Sequence, residues 1–155
     1  MNRRDAISIA VLLLFSGRLS TFGSDKTPTQ LQAEIDREPN PKKRLKLAVE
    51  LTDARLKDVL SAYEAEDHGK EVESIKYYLS GLDRLEKAVK DIRHGGLTKE
   101  SEIRLREQVH ALKDLAMSVS FSERAAVEEV ATRVAKLHEE ILGSIMNPNK
   151  ERDKP

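Results

Sequence analysis

The chain of 155 residues contains no cysteine and no tryptophan. Without a thiol it forms no disulfide, carries no lipid on an N-terminal cysteine and has no cysteine nucleophile, so packing must hold the fold together. Aromatic side chains make up only 4%, three Phe and three Tyr, which leaves little with which to line a small-molecule pocket. Charge of one sign is also lacking: 27 Lys and Arg balance 27 Asp and Glu. The two signs alternate along the chain instead of gathering into the basic surface that nucleic-acid binding needs, so no nucleic-acid partner is expected. There is no Gly-x-Ser-x-Gly elbow and no glycine loop that would cradle a phosphate. No enzymatic activity, catalytic residue or cofactor is expected.

The main apolar run, Ala6 to Phe15, is preceded by Arg3 and Arg4 and followed by a short polar, small-residue segment from Gly17 to Ser24. That order is the layout of an export signal. Its core of about ten residues is short of the roughly 20 that span a bilayer, which favours cleavage, placed after Gly23, over permanent anchoring. The expected organisation is a signal peptide at 1–23, a helical domain at 24–146 and a disordered polar tail at 147–155. The expected location is periplasmic or extracellular, with no stable membrane insertion after cleavage. The Arg3-Arg4 pair resembles a twin-arginine signal, although Asp5-Ala6-Ile7 departs from what usually follows. Cleavage would remove Arg3, Arg4, Arg18 and Asp5 and leave two more acids than bases.

Beyond residue 24 the periodicity is helical throughout. Thr27-Pro28-Thr29-Gln30 reads as a helix start, with Thr27 as N-cap, Pro28 at the first position and Gln30 closing a capping box. This short helix runs to about Arg37, where Pro39-Asn40-Pro41 ends it and Asn40 caps the next. The second helix, to about Asp67, carries Leu45, Val49, Thr52, Leu56, Val59 and Tyr63 at spacings of four and three, widened by Ala48, Leu51 and Leu60. Gly69 interrupts. A third helix from about Lys70 to Arg93 aligns Val72, Ile75, Tyr78, Leu79, Leu82, Leu85, Val89 and Ile92 before Gly95-Gly96. A fourth opens near Thr98 with Leu105, Val109, Leu112, Ala116 and Val119. After a serine-rich turn where Ser120 and Glu123 suit a capping box, a fifth runs to about Ile145 with Val127, Val130, Val134, Leu137 and Ile141 on one side.

Exposed faces show acid-before-base pairs four apart: Asp53 and Lys57, Asp83 and Lys87, Glu86 and Lys90, Glu100 and Arg104, Glu102 and Arg106, Glu129 and Arg133. Each adds only about 0.2–0.5 kcal/mol, so the apolar stripes must drive folding. Four long helices of roughly 30–40 Å joined by short turns force sequential neighbours to run antiparallel. The fold class is all-α: an antiparallel up-down helical bundle or stacked helical hairpins, with four long helices plus one short N-terminal helix.

Two resemblances follow from particular residues. Ala62-Tyr63, Gly69 and Ser74-Ile75-Lys76-Tyr77-Tyr78 with Gly81-Leu82 resemble the centre of a tetratricopeptide-type helix pair, over about residues 49–85. In such pairs small residues at the places of Ser74 and Gly81 let helices approach, and a tyrosine at the place of Tyr63 or Tyr78 fills the gap. Here Leu60 stands at the place of the family's first glycine, no closing proline follows Leu85, and a second copy is not visible. Over more of its length the chain resembles a loose group of uncharacterised exported bacterial proteins that are helical throughout. The carrying stretches are Pro41-Lys42-Lys43-Arg44, Leu51-Thr52-Asp53-Ala54-Arg55-Leu56, Glu102-Ile103-Arg104-Leu105-Arg106 and Glu123-Arg124-Ala125-Ala126-Val127-Glu128. That resemblance implies fold and location and brings no activity with it.

His138-Glu139-Glu140-Ile141-Leu142 starts like the helical zinc-protease motif, but Leu142 stands where the second histidine must be, so His138 is expected as a surface residue near a helix end. Glu107 with His110, and Asp91 with His94, place an acid and a histidine three apart as in di-iron bundles. No metal is expected; if one binds, Glu107 and His110 are its candidates. His68 beside Gly69 reads as a turn residue. Tyr77 and Tyr78 point about 100° apart on a helix, so at most one lies squarely in the core. Tyr77, with Tyr63 and Tyr78, is the candidate contact for a protein partner or a second copy. The expected function is a non-enzymatic interaction or structural module of the cell envelope. A periplasmic chaperone-like or stress-response protein is the alternative, because Leu51-Thr52 and Leu97-Thr98 echo motifs of some such proteins. A metal-binding bundle comes third.

Overall fold

Helix α1 (Pro28–Arg37) begins where the sequence places it: the Thr27 hydroxyl accepts from Gln30 N at 3.3 Å while the Gln30 side chain accepts from Thr27 N at 2.9 Å. A computed structural model describes residues 26–92 and 98–147. The export signal expected at 1–23, the Gly95-Gly96 stop, His94 and nearly all of the polar tail lie outside the described residues. Helix α2 (Pro41–Glu64) is capped by Asn40, whose side chain accepts from Lys42 N and Lys43 N. Helices α3 (His68–Asp91), α4 (Lys99–Ser118) and α5 (Phe121–Met146) complete an all-helical bundle.

The turn between α2 and α3 corrects two expectations. Helix α2 stops at Glu64 rather than near Asp67, because Glu66 takes a left-handed conformation with φ of 52°. Asp67 is then free to act as the N-cap of α3, accepting from Lys70 N at 3.1 Å. Gly69 consequently sits in the first turn of α3 and does not break it.

Two antiparallel hairpins, α2 with α3 and α4 with α5, stack on each other, with α2 beside α4 and α3 beside α5, while α1 packs along α2. Within the hairpins, Arg44 at the start of α2 meets Asp91 at the end of α3 at 2.7 Å, and Glu102 on α4 meets His138 on α5 at 2.8 Å. His68 lies near Glu123 while Asp83 and Glu86, farther along α3, lie against Arg133, so α3 and α5 run in the same direction. Both hairpin turns therefore share one end of the bundle. Among the described residues, no helix is long and apolar enough to cross a membrane.

Leu45, Val49, Leu56 and Val59 of α2, Tyr78, Leu82 and Leu85 of α3, Leu105 and Leu112 of α4, and all five stripe residues of α5 are buried. At about 1.5–3 kcal/mol for each large apolar side chain, this burial dominates the favourable terms. The stripe on α3 is rotated from the expected one. Its buried line runs Glu71, Ser74, Tyr78, Leu82, Leu85 and Val89, leaving Val72 74% exposed. Tyr78 sets this rotation, since two turns back from 78 is 71 rather than 72.

The exposed ion pairs also differ from expectation. Glu102 and Arg106 approach to 3.9 Å within α4. Asp53, Asp83 and Glu86 instead turn to arginines of the other hairpin: Arg104 reaches Asp53, and Arg133 reaches Asp83 at 2.5 Å and Glu86 at 2.9 Å. Arginine's planar fork suits such bridging between elements better than a lysine one turn away.

Where α2 and α3 come close, a Cβ built on Gly81 would lie 3.5 Å from the Thr52 methyl and 3.7 Å from Leu51 Cγ, ordinary contact distances. Replacing Gly81 with Ala should therefore raise stability by about 0.5–1 kcal/mol through helix propensity. Gly81→Leu should destabilise by about 1–3 kcal/mol through overpacking. Urea denaturation of the two variants checks both signs.

Candidate functional site

Two groups of polar side chains stand out from the apolar interior, one at its centre and one at the end that carries the hairpin turns. The central group is built around Gln108 of α4. Its carbonyl oxygen accepts from the Tyr78 hydroxyl at 2.7 Å, and its amide nitrogen donates to Thr52 Oγ1 at 3.0 Å and to Asp53 Oδ1 at 2.6 Å. Thr52 Oγ1 in turn donates to Val49 O at 2.9 Å, and Arg104, one turn before Gln108, donates to the other Asp53 oxygen. Tyr78, Thr52 and Gln108 are all buried. Burial, reinforced by the Asp53 charge, pushes the Tyr78 phenol far above its ordinary range, so it serves as a neutral donor. Burial also raises the Asp53 carboxyl, against the opposing pull of Arg104 and Gln108.

The end group comprises His68 and Glu71 of α3, Glu123 of α5 and the neighbouring Tyr63 of α2. His68 Nδ1 lies 2.8 Å from Glu71 Oε2 and 3.1 Å from Glu123 Oε1. Glu123 is held by its own cap, its other oxygen accepting from Ser120 N at 3.2 Å and Ser120 Oγ at 2.5 Å. Burial first, then the Glu71 and Glu123 carboxylates, raises the Tyr63 phenol. The His68 imidazole is raised as well, chiefly by its hydrogen bond to Glu71. Among the described residues, this trio is the group of His and acidic side chains whose ligand atoms converge, all within 4.8 Å of one another.

The residues singled out in the sequence fall in several places. Tyr78 is a core residue, closed to any partner. Tyr77 is 44% exposed, with Arg55 4.7 Å above its ring and its hydroxyl donating to Glu73 at 3.1 Å. Tyr63 is half-buried beside the acidic end group. Glu107 and His110 are exposed on α4, away from the converging trio. His138 is not a surface residue but is largely buried against Glu102. His68 belongs to α3 and faces two carboxylates instead of lying in a turn. Sequence reasoning missed Gln108 and Glu71. The signal for Gln108 was present, since Ser101, Leu105, Gln108, Leu112 and Leu115 keep the four-three spacing and all are buried.

Three exposed large apolar side chains fall by position near the same end, Val72 at the fifth position of α3, Met117 in the last turn of α4 at 72% exposure and Phe121 at the first position of α5 at 89%, while Met146, 71% exposed, lies at the opposite end. A shallow groove between the starts of α2 and α4 mixes Lys42, Lys46 and Arg104 with Glu50 and Glu100 around Leu45, so it selects no charge. Compared with known proteins, the chain matches no family model, no curated protein and no solved structure.

Gln108→Ala strands the Tyr78 hydroxyl and takes one partner each from Thr52, which keeps Val49 O, and Asp53, which keeps Arg104, and should cost about 2–3 kcal/mol, whereas Tyr78→Phe, which strands only the Gln108 carbonyl, should cost about 1–2 kcal/mol. Denaturation midpoints of the two variants give this order. The raised Asp53 carboxyl also fixes a sign. Between its unfolded value near 3.8 and its higher folded value, the native state holds the extra proton, so its contribution to stability falls as pH rises through that window. The stability of the wild type relative to Asp53→Asn should accordingly decrease on going upward from pH 4, as read from urea titrations at successive pH values.

Proposed function

We propose that this chain is an exported, non-enzymatic helical interaction module of the cell envelope that binds a protein partner or a second copy of itself. The observation that carries the reading is the set of three exposed apolar side chains near the hairpin-turn end of the bundle. Val72, Met117 and Phe121 lie near the end shared by both hairpin turns and take no part in the buried core that the five helices build. Large apolar side chains left in solvent together favour a docking role over a folding role. Phe and Met are, moreover, enriched at protein interfaces. Tyr77, under Arg55 on the α2 and α3 face, is a second contact compatible with this reading.

Export rests on Arg3, Arg4 and the apolar run from Ala6 to Phe15. N-terminal sequencing of protein from the extracytoplasmic fraction of its own host tests it, with a new terminus at Ser24 expected.

For the interaction itself, native mass spectrometry of the protein purified gently from that fraction should show a defined oligomer or a co-purifying polypeptide. The double variant Met117→Ser and Phe121→Ser should weaken that association by at least about tenfold while changing folding stability by no more than about 0.5 kcal/mol, because both side chains are solvent-exposed. A bare monomer that protects aggregating clients equally well with and without these two residues would replace the docking module with the chaperone-like alternative.

A further inference from the structure

We propose that His68, Glu71 and Glu123 form a binding site for a divalent first-row transition metal ion of the zinc type, which joins the two hairpins at their turn end. One imidazole nitrogen and two carboxylate oxygens are a donor set such ions accept, with a remaining position open to water. Ligand atoms at about 2.0–2.1 Å from a common ion stand roughly 2.9–3.4 Å apart. His68 Nδ1 lies 2.8 Å from Glu71 Oε2 and 3.1 Å from Glu123 Oε1, close to that range, and the three atoms lie within 4.8 Å of one another, so that binding an ion draws the two carboxylates together around it.

The burial of Glu71 is a second observation that favours a cation at this place. Its side chain is 6% exposed, it aims into the cluster, and among the described residues its ion pairing is with His68 alone. A neutral imidazole offers no compensating charge, and a protonated one must share a single N–H between two anions. Acids in the first turn of a helix are favoured by the helix dipole, which accounts for either glutamate singly. It does not account for placing one of them inside the protein, nor for two carboxylates from different hairpins meeting at one nitrogen.

One of the three ligands is held by an outer partner, as in metal sites, while the His68 side chain is 78% exposed. Ser120 holds Glu123 Oε2 through its backbone N–H and hydroxyl, leaving Oε1 directed at His68. The ligands come from α3 and α5, so an ion held there stabilises the stacked arrangement over the separated hairpins. This site is distinct from the Glu107 and His110 pair and does not depend on the docking role of the neighbouring apolar residues.

The test uses the full chain after treatment with chelator, followed by zinc alone, with magnesium as comparison. Zinc should bind one to one in native mass spectra and raise Tm by roughly 5–10 °C at hundredfold excess over its Kd. Magnesium should leave Tm unchanged. His68→Ala and Glu123→Gln should each weaken zinc binding by more than about tenfold. Glu71→Gln should abolish the zinc response while leaving the metal-free Tm unchanged or raised, an outcome that an ion pair kept only for stability would reverse. His110→Ala should bind zinc as the wild type does. Zinc binding that survives His68→Ala, or that disappears in His110→Ala, or a full chain that shows no saturable zinc uptake, would overturn the proposal.

Discussion

The stacking of the two hairpins depends on one buried amide. Apolar contact between helices is non-directional and tolerates a slide or a rotation with little loss as long as area stays buried. Gln108 removes that freedom, because its carbonyl is committed to Tyr78 on α3 and its amide to Thr52 and Asp53 on α2. Moving α4 along α2 by one turn, about 5.4 Å, would leave the Tyr78 hydroxyl and the Gln108 amide without partners in a dry interior. The raised Asp53 carboxyl marks what the arrangement costs. Burying that charge is unfavourable even with Arg104 and Gln108 upon it. The network thus acts on register more than on total stability, the best-attested use of buried polar groups.

The two bridging arginines extend this constraint to both flanks. Arg104 draws α4 to α2, and Arg133 draws α5 to α3 through two carboxylates. Half-exposed pairs of this kind contribute little energy individually. Their effect is geometric: each spans the interface where the backbones of the hairpins stand farther apart than within a hairpin, a gap that a long planar side chain fills. With Gln108 between them, three polar links fix how the hairpins stack, while the apolar stripes supply the driving force.

Helix starts were legible because their signals are local. Thr27 with Gln30, Asn40 with Pro41, Thr98, and Ser120 with Glu123 all cap the helices that the sequence assigned to them. The apolar stripes of α2 and α5 were legible for the same reason, being a single period within one segment. Errors arose where tertiary contact decides. The rotation of α3 is set by Tyr78 meeting Gln108, a residue 30 positions away, and nothing near Val72 announces it. Sequence spacing shows only intrahelical neighbours, so it pairs these charges four apart along single helices. Their true partners lie 47 to 51 residues away. The converging trio was invisible for a similar reason, since Glu123 joins His68 and Glu71 only once the hairpins stack.

Glu71 and Val72 invert the rule the rest of the chain obeys. Adjacent on α3, they place a carboxylate inside and a valine in solvent. Elsewhere, capping, stripe and surface charge agree with one another, and that agreement is what makes a sequence fold to a single structure. A local conflict that persists against such a background is most economically explained by a demand other than folding. Exchanging the two side chains would satisfy burial at both positions, yet it would remove a ligand atom from beside His68 and Glu123 and an apolar side chain from the end shared with Met117 and Phe121. Both proposals therefore draw on the same feature from opposite sides of one helix turn. The buried carboxylate supplies charge to the cluster between the hairpins, and the displaced valine supplies apolar surface outside it.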